Sequence, residues 1–150
     1  MNLSPDHFLY ESDGTYVWTP ARVRTGWALT VQKFRELLPS YSAAVLLIGV
    51  PGAGKSTWLR ANQQPDVLYV DATFTRGIER QPFIEMAQQM GIPIHAVWIH
   101  TAFETCVARN SERPEDRAVD RIKMIQMRDN LEADPPTVTE GFSIVTVVRA

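Results

Sequence analysis

The sequence predicts an α/β fold in which helices flank a mainly parallel sheet on both sides. Apolar, β-rich runs alternate with amphipathic segments from residue 43 to residue 148. The first runs are continuously apolar, as expected for strands that are buried on both faces. Such alternation is typical of βαβ units packed in three layers. The 150 residues suit one domain, so we expect a single domain over 1–150, with a core over 43–148.

The first forty residues precede this pattern and form an N-terminal extension. The segment 7–19 predicts a hairpin, because two aromatic-rich runs surround the turn dipeptide Asp13-Gly14. Thr25 can cap a following helix, and Pro39 ends it. The apolar positions of this helix recur at spacings of four, three and four: Trp27, Val31, Phe34 and Leu38.

Strands and helices then follow each other along the chain. Strands are predicted at 43–49, 67–71, 94–99 and 143–148. A short helix is expected from Lys55 to Ala61, and a longer one over 77–90 ends at Gly91. Thr101 and Glu104 predict a capping box for the next helix. Pro114, as a first-turn residue, predicts a last helix that reaches about Leu131.

Composition narrows the function classes. The net charge of -2 gives no bulk attraction to nucleic acid, so a polyanion would need a local basic patch. The single cysteine, Cys106, excludes an internal disulfide and is expected to be a small buried residue. The first residues do not resemble a secretion signal, and the apolar runs are too short for a membrane span. We therefore expect a cytoplasmic protein without a membrane partner, in the host cytoplasm if it is phage-encoded.

The stretch "GVPGAGKST" is the strongest functional signal. It fits the P-loop pattern G-x-x-x-x-G-K-[ST], and it lies between a predicted strand and a predicted helix. Glycines let backbone N–H groups turn inward around a phosphate, and the helix directs its positive end there. We expect the lysine at the β- and γ-phosphates and the serine in a Mg²⁺ shell, with ATP as the nucleotide. The predicted nucleotide-binding residues are Gly49, Pro51, Gly52, Ala53, Gly54, Lys55, Ser56 and Thr57.

The phosphate loop alone does not separate a GTPase, an ATPase motor and a kinase. The chain has no N-K-x-D guanine-reading sequence and is short for a motor, which favours a small kinase. A kinase needs an arginine-rich lid, and residues 109–121 predict one. Arginines recur there every four residues: Arg109, Arg113, Arg117 and Arg121. They can offset charge on the γ-phosphate; a solvated, ion-paired helix face is the alternative.

The sequence resembles the kinase domain of polynucleotide 5'-hydroxyl kinases over about residues 43–148. The resemblance rests on four segments in order: the phosphate loop at 49–57, "VDATFTRGIERQPFIEMAQQMGIPIHAVWI", "RNSERPEDRAV" and "PPTVTEGFSIVTVV". It implies a P-loop kinase fold and transfer of the γ-phosphoryl group of ATP to a hydroxyl. It also implies that the lid arginine is Arg113, with Arg109 or Arg117 beside it.

The chain departs from this family between Lys55 and Asp71. The family has an additional strand and helix there, and that strand carries the aspartate that deprotonates the acceptor. Here only 16 residues separate the two positions. Asp71 matches the aspartate of the family's D-x-T segment, and it can be a Mg²⁺ ligand, the base or both; a helix cap is the alternative. The other candidates for the base lie in the extension: Asp6, Glu11 and Asp13.

Several basic and aromatic residues are candidates for acceptor binding. Arg76 and Arg80 follow Asp71 and would steer an anionic acceptor, unless they are surface arginines of a first helical turn. Arg22 and Arg24 lie near Trp18 and Trp27 in the sequence and suit a stacked base with its phosphates. The alternative, two core tryptophans with solvated arginines, is the one that residue frequencies favour.

The acceptor itself stays open at this point. The resemblance implies a DNA or RNA 5'-hydroxyl, with DNA the expected partner. The changed acceptor region also allows a hydroxyl on a modified base, such as 5-hydroxymethyluracil in phage DNA. A nucleoside, sugar or antibiotic kinase is a further alternative, and so is a non-catalytic nucleotide-binding module.

Overall fold

The computed structural model describes residues 1–115 and 117–150, so Asp116 of the predicted lid lies outside the described residues. The strands are β1 (Asn2–Leu3), β2 (Ala43–Ile48), β3 (Val67–Asp71), β4 (Ile94–His100) and β5 (Ile144–Arg149). The α-helices are α1 (Pro20–Leu37), α2 (Lys55–Asn62), α3 (Gly77–Met90), α4 (Phe103–Ser111) and α5 (Arg121–Ala133). Short 3-10 helices cover Pro5–Leu9, Leu38–Ser40 and Val138–Glu140.

The sheet confirms the predicted α/β class. Its order is β1-β3-β2-β4-β5, and every neighbouring pair is parallel. In the register of the central strands, Leu47 lies between Asp71 of β3 and Val97 of β4. Because all strands run in one direction, their carboxyl ends meet at one edge, where α/β proteins bind ligands.

Two hydrophobic clusters, one on each face of the sheet, form the core. Side chains of β2 alternate between the two faces, so Leu46 and Ile48 pack with residues of α1 and α3, whereas Val45 and Leu47 pack with residues of α2 and α4. The predicted burial of Cys106 is confirmed in the second cluster. No helix of the described residues is long and apolar enough to cross a membrane.

The extension differs from the predicted hairpin over 7–19. Ser4 caps a 3-10 helix that begins at Pro5, and among the described residues of this segment a single antiparallel bridge forms, between Tyr10 and Tyr16. The Asp13-Gly14 turn is present, since the amide of Thr15 donates to the Asp13 side chain. Proline after a serine cap starts a helical turn, and this local signal replaces the first run of the hairpin.

Helix α1 begins five residues before the predicted cap at Thr25. Thr19 caps it by accepting a hydrogen bond from the amide of Arg22 at 3.1 Å, and Pro20 occupies its first turn. The helix packs on the core through Trp27, whose ring lies 5.3 Å from Phe74. A Cβ on Gly26 would approach the carbonyl oxygen of Pro5 to 2.8 Å. This close contact fixes the Pro5–Leu9 helix against α1.

The capping box predicted at Thr101 and the helix start predicted at Pro114 are wrong. Helix α4 begins at Phe103 without a capping box, because the hydroxyl of Thr101 donates to another segment instead. Helix α5 begins at Arg121, not at Pro114. Asn110 explains the second difference: its side chain donates to the carbonyl of Val119 at 2.7 Å and accepts from its amide at 3.0 Å. These two bonds hold the backbone of Val119 against the end of α4.

Arg80 is a structural residue rather than the predicted acceptor contact. Its side chain is 0% exposed. The guanidinium donates to Glu140 at 2.9 Å, to the carbonyl of Phe74 at 2.8 Å and to the carbonyl of Asp134 at 2.9 Å. These bonds join α3, the segment after β3 and the segment before β5. A buried charge requires such partners. Because the Arg80 guanidinium already makes these bonds, it is not available to an acceptor.

Replacing Arg80 tests this arrangement. Arg80→Ala leaves Glu140 without its cation, and breaking a buried pair from one side costs about 3–5 kcal/mol. We expect a loss of that order in the free energy of unfolding, measured by urea denaturation. The control is Arg76→Ala, because Arg76 is exposed at the start of the same helix, and we expect a change within about 0.5 kcal/mol. Equal effects of the two substitutions would contradict the assignment.

Candidate active site

The loop between β2 and α2 has the backbone that a phosphate cradle requires. Gly52 and Gly54 have φ angles of 81° and 105°, in the left-handed region that favours glycine. A Cβ on Gly52 would lie 2.5 Å from the carbonyl oxygen of Cys106, so the loop rests directly on α4. Among the described residues, no side chain caps the first turn of α2. Its amides are thus available to an anion.

Two residues that follow β4 donate hydrogen bonds to the backbone of this loop. The hydroxyl of Thr101 donates to the carbonyl of Ala53 at 2.6 Å. The guanidinium of Arg109 donates to the carbonyl of Gly52 at 3.2 Å and to that of Ala53 at 3.4 Å. This role of Thr101 was not predicted from the sequence, because the spacing of Thr101 to Glu104 indicates a helix cap. Only the fold reveals its partner, 48 residues away.

Lys55 and Asp71 lie near the carboxyl ends of β2 and β3, and their charges interact. The Lys55 ammonium donates to the carbonyl of Gly49 at 2.8 Å. Burial lowers its pKa, whereas the carboxylate of Asp71 raises it. Burial raises the pKa of Asp71, and Lys55 opposes this shift. Both side chains line the same cleft. Charged groups with shifted pKa values in a cleft are typical of catalytic sites.

Of the three acidic candidates in the extension, only Asp6 lies in this cleft. It lines the cleft together with Asp71, and its charge raises the pKa of both Lys55 and Asp71. Strand β1 explains its place, because Leu3 pairs in parallel with Val70 and directs the following residues to the same sheet edge. Glu11 instead forms an ion pair with Arg22, and Asp13 holds the turn described above.

The lid arginines have different surroundings. Arg113 is exposed, lines the cleft and lowers the pKa of both Lys55 and Asp71. Arg109 also lines the cleft and donates to the carbonyls of the phosphate loop. The guanidinium carbon of Arg117 lies 5.3 Å from the ring centre of Tyr10. Arg121 forms an ion pair with Glu104, and neither residue lines the cleft.

The remaining basic and aromatic candidates do not form the predicted cluster. Arg24 and Arg76 are exposed and do not line the cleft, and Arg22 is held by Glu11 and the carbonyl of Leu9. Trp18 does line it and is 48% exposed, so the alternative of two core tryptophans is wrong for this residue. Trp27 is half-buried against Phe74, as a core residue would be.

All these groups surround one cleft of about 1350 Å³. The phosphate loop contributes residues 51–57, while Gly49 contacts Lys55 from beneath. Ser56 is exposed to the cleft that Asp71 also lines, and a hydroxyl with a carboxylate is the kind of protein oxygen set that Mg²⁺ takes beside phosphates. No cluster of three or more His, Cys, Asp or Glu side chains that could hold a metal occurs in the described part of the chain. The residues present thus fit a metal that arrives with a nucleotide.

One comparison with known proteins, a match to a family model, agrees with this architecture. A sequence model of the family described as "AAA domain" matches residues 60–133, nearly half of the chain. The parallel sheet, the phosphate loop and this match indicate a P-loop nucleotide-binding, kinase-like domain. None of the curated proteins matches. A solved structure titled "Crystal structure of AvrRxo1-ORF1:-ORF2 complex, native" is similar at a TM-score of 0.43 and 14% identity, covering 79% of this chain. The matched part covers 62% of that chain.

The conformation of Gly52 provides a test of the loop. Gly52→Ala introduces a left-handed alanine, which costs about 1–2 kcal/mol, and a Cβ that meets the Cys106 carbonyl. We expect affinity for ATP, measured by titration with a fluorescent analogue, to fall at least about tenfold.

Gly14→Ala and Gly91→Ala are the matched controls, because both glycines have positive φ angles but open space around the Cβ position. They should lower the thermal midpoint slightly and leave ATP affinity unchanged. An equal loss of affinity in all three variants would show that the loop does not hold the nucleotide.

Proposed function

We propose that this protein is an ATP-dependent kinase that transfers the γ-phosphoryl group to a hydroxyl of a polynucleotide, with DNA as the acceptor. The observation that carries the proposal is that one cleft contains the phosphate loop, the carboxylates of Asp6 and Asp71 from different segments, and the lid arginine Arg113. Its volume of about 1350 Å³ exceeds the roughly 300–1000 Å³ of a single-ligand pocket. That size suits a donor and an acceptor bound together.

The donor half consists of the loop, α2 and Lys55. The loop amides and the positive end of α2 would hold the phosphates. The Lys55 ammonium would exchange its hydrogen bond to Gly49 for the β- and γ-phosphate oxygens. Ser56 and Asp71 would hold Mg²⁺, which supplies charge neutralisation on the transferring phosphoryl group. The Asp71 carboxyl is partly buried, and charges interact more strongly where water is partly excluded.

The acceptor half is assigned to Asp6. A base must reach the proton of the attacking hydroxyl, and Asp6 enters the cleft from β1, whereas Asp71 ends β3 beside the phosphate loop. In the proposed step, the Asp6 carboxylate accepts the hydroxyl proton and the oxygen attacks the γ-phosphorus. The bond to the β-γ bridging oxygen breaks, and ADP leaves. Arg113 would offset the charge that spreads over the equatorial oxygens.

The acceptor class is tested directly with labelled ATP. A panel would contain DNA and RNA oligonucleotides with free 5'-hydroxyls, DNA with internal 5-hydroxymethyluracil, and free nucleosides and sugars. Transfer to an oligonucleotide supports the proposal, and the labelled position distinguishes a 5'-hydroxyl from a modified base. Transfer only to a free nucleoside or sugar would identify a small-molecule kinase. ATP binding without any transfer would favour a non-catalytic module.

Replacement of Lys55 tests the donor half. Lys55→Ala should lower the rate of transfer at least about a thousandfold, since it removes the cation that contacts the transferring group. The thermal midpoint should be unchanged or higher, because burial lowers the pKa of Lys55 and thus disfavours the charge in the folded protein. A variant with near-normal turnover would contradict the assignment of the loop.

Substitutions of the two carboxylates, Asp6 and Asp71, should differ in their effects on ATP binding. Asp6→Asn should lower kcat at least about a hundredfold, as expected for a lost base, while the Kd for Mg-ATP stays unchanged. Asp71→Asn should lower kcat and also weaken the Mg²⁺ dependence of ATP binding. Glu11→Gln is the control, because Glu11 pairs with Arg22 outside the cleft. A base role for Asp6 is wrong if Asp6→Asn and Glu11→Gln have the same kcat.

A further inference from the structure

The wall of the cleft that the extension provides is aromatic. Tyr10, Tyr16 and Trp18 all line the cleft, and the rings of Tyr10 and Tyr16 meet edge-to-face with centres 5.3 Å apart. Tyr10 is 41% and Trp18 is 48% exposed. These rings therefore present part of their surface to a space that also contains Asp6 and the phosphate loop.

Two cations from a different part of the chain, Arg117 and Lys123, lie over these rings. The guanidinium carbon of Arg117 lies 5.3 Å from the centre of the Tyr10 ring and 6.0 Å from that of Tyr16. The ammonium of Lys123 lies 4.5 Å from the centre of the Trp18 ring. Both cations belong to exposed residues that line the cleft. Cation–π contacts at exposed sites are weak, so a ligand can displace them.

Ring faces with adjacent cations are the chemistry that proteins use for single-stranded nucleic acid. A base stacks on the aromatic ring, and the neighbouring lysine or arginine contacts the backbone phosphate. The stacking does not depend on which base is present, because every base has a π-face. An acidic peptide would use the cations and leave the ring faces unused.

We propose that Tyr10, Trp18, Arg117 and Lys123 form a subsite that stacks a nucleobase of the acceptor and contacts the adjacent phosphate. The proposal rests on the proposed kinase function for the role of the bound strand. On binding, the base takes the place of a cation on the ring face, and the released cation pairs with the phosphate. The subsite is assigned to the acceptor because Tyr10 follows Asp6 by only four residues on the same segment. The donor phosphates have their own loop.

The test is equilibrium binding of a short single-stranded DNA without ATP, followed by fluorescence anisotropy. The same strand with abasic positions keeps the phosphates and loses the bases. We expect the abasic strand to bind about fivefold to 150-fold more weakly to the wild type, the range for loss of one stacked base. Trp18→Ala should reduce this ratio to near one without changing the Kd for ATP, whereas Trp18→Phe should keep most of it.

Ile122→Ala is the matched control, since Ile122 is an exposed apolar residue beside Lys123 that does not line the cleft. Its abasic ratio should equal that of the wild type, and the thermal midpoints of all variants should agree within a few degrees. The subsite is wrong if the wild type does not discriminate against the abasic strand, or if Trp18→Ala weakens ATP in place of DNA. Base-dependent binding without phosphoryl transfer would support the subsite and refute the kinase. Normal phosphoryl transfer without base discrimination would support the kinase and refute the subsite.

Discussion

The parallel pairing of β1 with β3 is the interaction on which the architecture of the site depends. A strand at a sheet edge presents unpaired N–H and C=O groups, and the short connection from α2 to β3 provides no strand to cover that edge. The chain covers it with Asn2 and Leu3, which pair with Tyr69 and Val70. Because the pairing is parallel, the residues that follow Leu3 emerge at the carboxyl edge of the sheet. Residues at the carboxyl edge of the sheet and residues of the N-terminal extension thereby line one cleft.

The buried charges of Lys55 and Asp71 depend on rigid contacts in the surrounding structure. Desolvation disfavours both Lys55 and Asp71 in their charged forms, so the surrounding structure must hold them in place. The phosphate loop is fixed on α4, where Gly52 lies against the Cys106 backbone. On the other face of the sheet, Arg80 joins three segments from a fully buried position. Arg80 thus holds these segments together without lining the cleft.

The sequence predicts the features whose signals are local. The strand at 67–71 and the helix at 77–90 have the predicted bounds, because a continuous apolar run and a terminal glycine act over a few residues. Contacts between distant residues were not predictable in this way. Arg80 reads as a surface arginine until Glu140, 60 residues away, is seen beside it. The two hydrogen bonds between Asn110 and Val119 similarly override the helix signal of Pro114, and only the sheet order brings Asp6 to the cleft.

The central claim is that the N-terminal extension completes the acceptor side of a P-loop kinase site. The most direct measurement is a crystal structure with a non-hydrolysable ATP analogue, Mg²⁺ and a 5'-hydroxyl oligonucleotide. The account predicts phosphates on residues 49–57, the acceptor hydroxyl about 2.6–3.2 Å from the Asp6 carboxylate, and a base against Trp18. An acceptor bound away from the extension, with Asp6 facing solvent and Asp71 at the hydroxyl, would contradict it.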